Sequence, residues 1–304
     1  MARPRIRIGI SGWRYAPWRG TFYPKGLPQR LELQFASNAV STIEINGSFY
    51  SLQKPTSYAL WYEQTPADFM FTVKGPRYIT HIRRLQDVEK PIANFFASGI
   101  FNLREKLGPI LWQFPPSFKF DKGRMQSFLE LLPRDLAGAV SLARKRDTFM
   151  KGRTCLAIDE NRALQYAIEI RNDSFLNSEF MDLLRSHNVA AVIAETARKW
   201  PMIQDITADF IYMRLHGDKE IYRSGYTDKS LQRWAARIAK WHSGIEPTDA
   251  CKIERDIIPK KRSRPVYCFF DNTDVKLRAP FDAQTLAGKL GISKPEAFVW
   301  SGSI

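Results

Sequence analysis

The sequence predicts an α/β protein with the (β/α)8 TIM-like barrel fold, built as a single domain. Eight short apolar runs, most of them rich in β-branched or aromatic residues, alternate with segments of helical spacing along the 304 residues. Strands that alternate with helices indicate parallel βαβ units. Eight such units in a chain of this length fit a closed barrel better than an open doubly wound sheet.

The eight runs have the length and composition of buried strands. They are IRIGI (6–10), TIEIN (42–46), FMFTVK (69–74), PILWQF (109–114), AIEIR (167–171), AAVIAE (190–195), FIYMRLH (210–216) and VYCFFDN (266–272). Both faces of a strand in a parallel barrel are buried, one by helices and one inside the barrel. We therefore expect few solvated positions within these runs.

Segments of helical spacing follow seven of the runs. In chain order they are LELQFASNAV, PTSYALWYEQT, PIANFFASGIFNLREKL, GRMQSFLELL, SEFMDLLRSH, KSLQRWAARIAKWH and FDAQTLAGKLG. Pro55 suits a first helical turn, and Gly291 suits a helix end. The segment after the sixth run, TARKWPMIQDI, has the weakest helical pattern.

The chain shows no linker rich in Pro, Gly or Ser, so residues 1–304 are expected to form one domain. Two connections are long, at residues 138–165 and 245–265, and long loops are often functional. No GxGxxG or GxxxxGK(S/T) loop follows a run, which argues against dinucleotide and P-loop sites of the usual kind.

The charge balance is strongly basic. Lys and Arg number 46 against 31 Asp and Glu, a formal net charge of +15. Such a balance fits an anionic partner, either a small acidic metabolite or a nucleic acid. The densest basic stretches are RKR at 144–146 and KKRSR at 260–264, and a solvated basic surface is the plainer interpretation.

Compartment and membrane association follow from the remaining composition. The three cysteines, Cys155, Cys251 and Cys268, form no CxxC pair, and we expect buried thiols in a reducing compartment. The N-terminal stretch passes directly into the first run, and no apolar run reaches the ~18 residues that span a membrane. These features predict a cytoplasmic protein without a membrane partner.

Polar residues gather at the C-terminal ends of the runs, where TIM barrels carry their active sites. They are Glu44, Asn46, Thr72, Lys74, Gln113, Glu169, Arg171, Glu195, Arg214, His216, Asp271 and Asn272. Residues two apart on a strand point to the same face, so Glu44 and Asn46 share one face. The pattern predicts a polar mouth; the alternative is a set of structural charge pairs, with Glu169 neutralising Arg171 or Arg214.

The residue types at these ends suggest anion chemistry. Lys74, Arg171 and Arg214 form a clamp for carboxylate or phosphate. Glu44 or Glu169 would act as general base, and His216 would transfer protons near neutral pH. On this hypothesis, Arg214→Ala abolishes ligand binding and leaves the fold intact.

Further residues are candidates for lining the site. His81 follows the third run and can reach over the mouth, and the amides of Asn46, Gln113 and Asn272 can bind substrate. Trp13, Tyr50 and Tyr222 lie in loops after runs and are predicted to line a site, whereas Trp18 and Phe49 are expected to pack. The candidate substrate-binding residues are Trp13, Asn46, Tyr50, Lys74, His81, Gln113, Arg171, Arg214, Tyr222 and Asn272.

No cofactor is predicted, and a divalent metal is the weaker alternative. Carboxylate and histidine sites at barrel mouths hold metals in many enzymes. Glu44, Glu169, Glu195, His216 and Asp271 offer such ligands. The nearby basic residues repel a cation, and the chain has no HxH or HExxH motif.

Several stretches resemble, in order, the motifs of the DUF72 family, which includes the YecE-type proteins. They are GISGWRYAPWRGTFYP, TIEINGSFY, FTVKGPRYITH, LWQFPPSF, AIEIRNDSF, YMRLHGDKEIYRSGYT and CFFDNT, and they extend over roughly residues 6–300. The resemblance implies a TIM-like barrel and no assigned activity. Many relatives carry His where this chain has Asn172, which weakens any role for a general base there.

The sequence therefore favours a barrel enzyme acting on a small phosphorylated or carboxylated substrate by hydrolysis, isomerisation or lyase chemistry. A nucleic-acid-binding or -processing protein and a non-catalytic ligand-binding barrel are the alternatives. The sequence leaves the oligomeric state open.

Overall fold

The computed structural model describes residues 5–257, 262–272, 276–292 and 298, and its strands match the eight predicted runs. The sixth run is divided at Val192 into two short strands. The strands are Ile6–Ser11 (β1), Thr42–Ile45 (β2), Met70–Lys74 (β3), Leu107–Gln113 (β4), Tyr166–Glu169 (β5), Ala190–Ala191 (β6), Ile193–Glu195 (β7), Ile211–Leu215 (β8) and Val266–Phe270 (β9).

The helices include all seven that the sequence predicts. They are Glu32–Ala39 (α1), Gly47–Tyr50 (α2), Pro55–Glu63 (α3), Glu89–Ala97 (α4), Lys122–Leu131 (α5), Leu136–Ala143 (α6), Ser178–Ser186 (α7), Asp228–His242 (α8) and Ala279–Lys289 (α9). The short α2 and α6 were not predicted. α6 occupies the start of the long connection at 138–165, and the Asp135 carboxylate caps it by accepting from the Gly138 amide at 2.8 Å. Residues 196–206 form no helix.

The strand order is β6-β5-β4-β3-β2-β1-β9-β8-β7. This is the succession expected of a (β/α)8 TIM-like barrel whose sixth strand is split. The predicted fold class is therefore confirmed. In this fold each strand is followed by a loop that starts at its C-terminal end. The loops of such a barrel carry its functional residues.

The chain divides into two compact units, which we call unit 1 (Met1–Glu44 with Ala190–Ile304) and unit 2 (Ile45–Val189). In unit 1, β1 pairs in parallel with β2 and β9, and β8 pairs with β7 and β9. In unit 2, β4 pairs in parallel with β3 and β5. The expectation of a single domain stays a prediction.

The strands are buried along almost their whole length, as predicted. β2, β5, β8 and β9 have no solvated position. In unit 2 the packing around Trp112 is so close that a Cβ at Gly75 would lie 2.3 Å from the indole ring. Polar side chains within these strands are therefore enclosed and must find partners inside the protein.

The long connection ahead of β9 is irregular where the structure describes it. Residues 245–257 and 262–265 contain neither helix nor strand, and Lys260 and Lys261 of the basic KKRSR stretch lie outside the described residues. Across the described part of the chain, no helix has the length and apolar character needed to cross a membrane. The predicted cytoplasmic location stays a prediction.

The cysteines differ in exposure, which partly corrects the expectation of three buried thiols. Cys268 in β9 is buried, Cys155 is half-buried and Cys251 is exposed. Cys251 lies in the irregular 245–265 connection, which does not enclose its side chain. The sequence pattern around a single cysteine gave no signal for this difference.

Candidate functional site

The first group of predicted site residues lies in unit 1 and centres on Arg214. We call it the Arg214 cluster, and its members are Ser11, Glu44, Tyr212, Arg214, His216 and Asp271. Ser11, Glu44 and Arg214 lie at the last or penultimate position of β1, β2 and β8, His216 and Asp271 directly follow β8 and β9, and Tyr212 lies near the start of β8. The strand order of unit 1 therefore brings these side chains together.

Arg214 is almost completely buried, with 1% of its side chain exposed. Its Nη2 atom lies 2.9 Å from Oε1 of Glu44 and 3.0 Å from Oδ2 of Asp271. Burying a guanidinium is costly unless carboxylates and hydrogen bonds compensate the charge, and both are present here. Arg214 was predicted to bind the anionic group of a substrate. Its guanidinium instead binds two carboxylates of the protein itself, those of Glu44 and Asp271.

Glu44 accepts from further donors. The β1–β2 register pairs Ser11 with Glu44, and the Ser11 hydroxyl donates to Oε1 at 3.0 Å. The Tyr212 hydroxyl donates to Oε2 at 2.7 Å. Glu44 is fully buried yet satisfied, which explains how a strand of buried residues carries a carboxylate.

His216 lies beside this network, enclosed at 0% exposure. Its Nδ1 atom is 3.2 Å from Oδ2 of Asp271, which is 20% exposed. The Tyr222 ring meets the imidazole edge-on with centroids 5.2 Å apart, and the Tyr222 amide donates to the His216 carbonyl. Gly217 permits this turn, because at φ +129° a Cβ would lie 2.3 Å from the Glu220 carbonyl oxygen. His216 therefore packs against Tyr222 and lies close to the Asp271 carboxylate.

The second group lies in unit 2 and centres on Glu169. The β4–β5 register pairs Gln113 with Glu169. Oε1 of Glu169 accepts from Nε2 of Gln113 at 2.7 Å and from Nε of Arg171 at 2.9 Å. Glu169 is fully buried, whereas 13% of the Arg171 side chain is exposed. The carboxylate therefore holds the guanidinium near the surface of unit 2.

Lys74 and His81 belong to the same unit. The Lys74 ammonium lies 4.1 Å from the centroid of the Phe49 ring, a cation–π contact. The His81 ring meets Phe49 edge-on with centroids 5.1 Å apart. Burial, followed by the positive charges of Lys74, Arg171 and Arg77, lowers the pKa of His81 from 6.5 to about 4, with Glu169 opposing. His81 is consequently neutral at physiological pH, in a field of net positive charge. We call Lys74, His81, Gln113, Glu169 and Arg171 the Glu169 cluster.

Besides Tyr222, which contacts His216, four predicted substrate-binding residues lie outside both clusters. Asn46 precedes α2, and its buried Oδ1 atom has no hydrogen-bond partner among the described residues. Asn272 donates to the Asp282 carboxylate at 2.9 Å and so ties the end of β9 to α9. Tyr50 is 71% exposed, whereas Trp13 is buried. Their roles in binding stay predictions.

Sequence reasoning missed three contacts that define the clusters. Ser11 directly follows the first run (6–10) and ends β1, and no polar residue was predicted at this strand end. Tyr212 is two positions before Arg214 on the same strand face, so the two-residue spacing contained its signal. Phe49 was expected only to pack, yet its ring contacts both Lys74 and His81.

A metal was a further alternative for the polar residues. Within the described ranges, no group of three or more His, Cys, Asp or Glu side chains is arranged to hold a metal ion. Asp271 and Glu44 are instead bonded to Arg214. The absence of a cofactor stays a prediction.

The fold and these polar strand ends define a protein of the parallel β/α-barrel class. The family described as "Protein of unknown function DUF72" matches residues 7–301. The chain therefore belongs to the DUF72 family.

Individual relatives are consistent with this membership. The UPF0759 protein YecE of Escherichia coli K12 is 25% identical over 246 residues, which cover 80% of this chain and 84% of YecE. The crystal structure of a DUF72 family protein (TM1631) from Thermotoga maritima has a TM-score of 0.70 at 23% identity, with coverage of 94% and 99%. A DUF72 family protein (EF0366) from Enterococcus faecalis has a TM-score of 0.70 at 16% identity, with coverage of 98% and 100%. The two structures support the fold alone.

Proposed function

We propose that this protein is a barrel enzyme acting on a small phosphorylated or carboxylated substrate, whose anionic group binds at Lys74, His81 and Arg171. The observation that carries the proposal is the convergence of positive charge on His81. Burial is the largest cause that lowers the pKa of His81 to about 4, and the positive charges of Lys74, Arg171 and Arg77 lower it further; the same charges attract an anion. Glu169 supplies one negative charge against the cations Lys74, Arg77 and Arg171.

The chemistry of the three side chains suits an anion. A guanidinium presents five N–H donors in a planar fork, which matches carboxylate and phosphate groups. The Glu169 carboxylate fixes the Nε side of the Arg171 fork at 2.9 Å. Neutral His81 adds no charge beside Lys74 and Arg171 and can form a hydrogen bond with the anion. Its Nδ1 atom lies 2.8 Å from the Thr80 hydroxyl.

The proposed reaction needs a group that transfers protons, and hydrolysis, isomerisation and lyase chemistry all share this need. His216, which lies in unit 1 with its Nδ1 atom 3.2 Å from Oδ2 of Asp271, stays a predicted acid. Glu169 and Glu44 are the candidate bases. Since Glu44 already accepts from Ser11, Tyr212 and Arg214, we favour Glu169 of the two.

The proposal is tested with inorganic phosphate by calorimetry and by NMR titration of the histidine ring protons. Phosphate is expected to bind and to raise the pKa of His81, because an anion nearby stabilises the imidazolium. Arg171→Ala is expected to weaken binding by about tenfold or more. Lys122→Met removes a cation from the surface of the same unit, where Lys122 pairs with Glu179 at 3.0 Å, and serves as the matched control. Equal phosphate affinity in both variants, or an unmoved His81 resonance, would overturn the proposal.

Nucleic-acid binding is the second candidate, and one surface of unit 2 supports it. A small cavity of about 270 Å³ is bordered by Arg84, Lys119 and Arg124, with the half-buried Phe120 and the buried Phe118 beside them. Cations interleaved with aromatic side chains are typical of surfaces that bind single strands. The test is fluorescence anisotropy with a short single-stranded oligonucleotide over a range of salt. Affinity that falls steeply with salt, and less steeply in Arg84→Ala, would favour this candidate. Salt-independent binding, or no binding at low salt, would exclude it.

A further inference from the structure

A cavity in unit 1 lies beyond the end of β7 and is lined by none of the residues of the Arg214 cluster. It has a volume of about 630 Å³. Its walls come from the segment 195–204, from the loop after β8, from α8 and from residues 249 and 251. A cavity of this size suits a small organic ligand. The anion site proposed above does not use it.

Glu195 is the last residue of β7 and forms part of the cavity lining. The Trp234 indole donates to Oε2 at 2.7 Å, and the Tyr226 hydroxyl is a second donor. The nearest described cation, Arg233, is 3.9 Å from Oε1, and its side chain is 56% exposed. Burial raises the pKa of Glu195; the Trp234 hydrogen bond opposes this and the charge of Asp218 adds to it. Two neutral donors therefore orient a carboxyl group whose ion pair with the exposed Arg233 is long, at 3.9 Å.

The neighbouring charged groups form a wall that is already satisfied. Arg237 donates to Asp249 at 2.6 Å and to Oε1 of Gln204 at 2.6 Å. The same Gln204 oxygen accepts from the Cys251 amide at 2.8 Å. Asp218 accepts from the Ser230 hydroxyl at 2.6 Å. These bonds hold the wall in place without a ligand, so the cavity is preformed.

Trp200 supplies an aromatic surface to the lining of the cavity, and the Lys199 ammonium lies 5.1 Å from the centroid of its ring. The buried Thr196 hydroxyl accepts from the Trp200 amide at 3.0 Å and so fixes the turn that carries the ring. Within that turn, Ala197 and Arg198 have φ of 49° and 66°. Two successive non-glycine residues in the left-handed region are unfavourable, and such backbone strain concentrates at ligand sites.

We propose that this cavity binds a neutral polyhydroxylated ring, of the sugar class, with its apolar face on Trp200 and a hydroxyl bonded to Glu195. The lining mixes cations, among them Arg198 and Lys219, with the carboxylates Glu195, Asp218 and Asp249. An anionic ligand would face three carboxylates, and a cationic ligand would face several cations. Sugar hydroxyls both donate and accept, and the C–H face of a sugar ring packs on an indole, so this class matches the whole lining.

The test uses the exposed Cys251 thiol, which lines the cavity, as a reporter. The probes are D-glucose, D-galactose, D-mannose and D-xylose, with inorganic phosphate and tetramethylammonium as charged comparisons. Alkylation of each cysteine by iodoacetamide is followed by peptide mass spectrometry, and Cys155 in unit 2 is the internal control. At least one sugar is expected to protect Cys251 saturably and to leave Cys155 unchanged.

Two variants decide whether the protection arises in this cavity. Trp200→Ala and Glu195→Gln are each expected to weaken the protecting sugar by about tenfold or more. Trp61→Ala in unit 2 and Glu220→Gln on the surface of unit 1 are the matched controls and keep wild-type affinity. Arg171→Ala also keeps it, because Arg171 does not line the cavity. Protection by phosphate alone, protection by no sugar, or unchanged affinity in Trp200→Ala overturns the proposal.

Discussion

Nη2 of Arg214 lies 2.9 Å from Oε1 of Glu44, and both side chains are buried. This ion pair lies in unit 1 and is completed by hydrogen bonds from Ser11 and Tyr212 to Glu44. The arrangement changes the expectation drawn from sequence that Arg214 can be removed without harm to the fold. A buried carboxylate that loses its guanidinium partner is left uncompensated.

We therefore expect Arg214→Met to destabilise the protein by roughly 3–5 kcal/mol, the cost of breaking a buried pair. The free energy of unfolding is measured by urea denaturation. Arg83→Met removes a surface partner of Asp87 and should cost only about 0–1 kcal/mol. A double variant with Glu44→Gln should recover part of the loss. Equal stability of the Arg214 and Arg83 variants would contradict the structural role of the pair.

The titration of His81 gives a prediction for the acid side of the stability profile. The unfolded imidazole has a pKa of 6.5, and the folded one about 4. Between these values the unfolded state binds more protons, so stability rises with pH from about 4 to 6.5 and this contribution is constant above. In His81→Gln this part of the slope is lost. Melting temperatures of both proteins between pH 4.5 and 7 test it, and identical slopes would show that His81 titrates normally.

Gly75 is expected to tolerate no side chain. Its Cβ would lie 2.3 Å from the ring of Trp112, which is fully buried. Gly75→Ala should cost roughly 1–3 kcal/mol of stability, as overpacking of a core does. At Gly123, near the start of α5, a Cβ meets nothing closer than 3.7 Å, and Gly123→Ala should be neutral or slightly stabilising. Chemical denaturation of both variants compares the two sites. A neutral Gly75→Ala would mean that the Trp112 ring can move aside.

Thiol reactivity should follow exposure. Cys251 is exposed and should react with Ellman's reagent in the folded protein. Burial raises the pKa of the Cys268 thiol, and burial also excludes the reagent. Cys268 should therefore react only after denaturation. Quenching the labelling reaction and mapping the labelled peptides distinguishes Cys251 from Cys268. Rapid labelling of Cys268 under native conditions would contradict its placement in the core.

Several local features of this protein were predictable because their signals lie within one element. The strands at 42–45 and 211–215 follow from alternating aliphatic residues, and the start of α3 follows from Pro55. The two-residue spacing also predicted that Glu44 and Asn46 share a strand face, but β2 ends at Ile45 and Asn46 has helical backbone angles of φ −90° and ψ −19°. Periodicity is a property of neighbouring residues, so no tertiary information was needed.

Other local features were hidden. α6 lies in a connection that had no clear apolar stripe, and its start depends on the Asp135 cap. The sixth run looked like one strand, but Val192 separates β6 from β7. Residues 196–206 were the weakest helical segment, and Ala197 and Arg198 adopt left-handed backbone conformations there instead.

By itself, the sequence determined the barrel class, the order of its strands and helices, and the polar residues at the strand ends. Only the tertiary structure decided their partners. It bonded Arg214 to Glu44 and Asp271, bonded Arg171 to Glu169, and opened a cavity beside Glu195. The reason is physical: apolar periodicity is set by the geometry of a single strand or helix. The partner of a buried charge depends on strand register and packing between residues far apart in the chain.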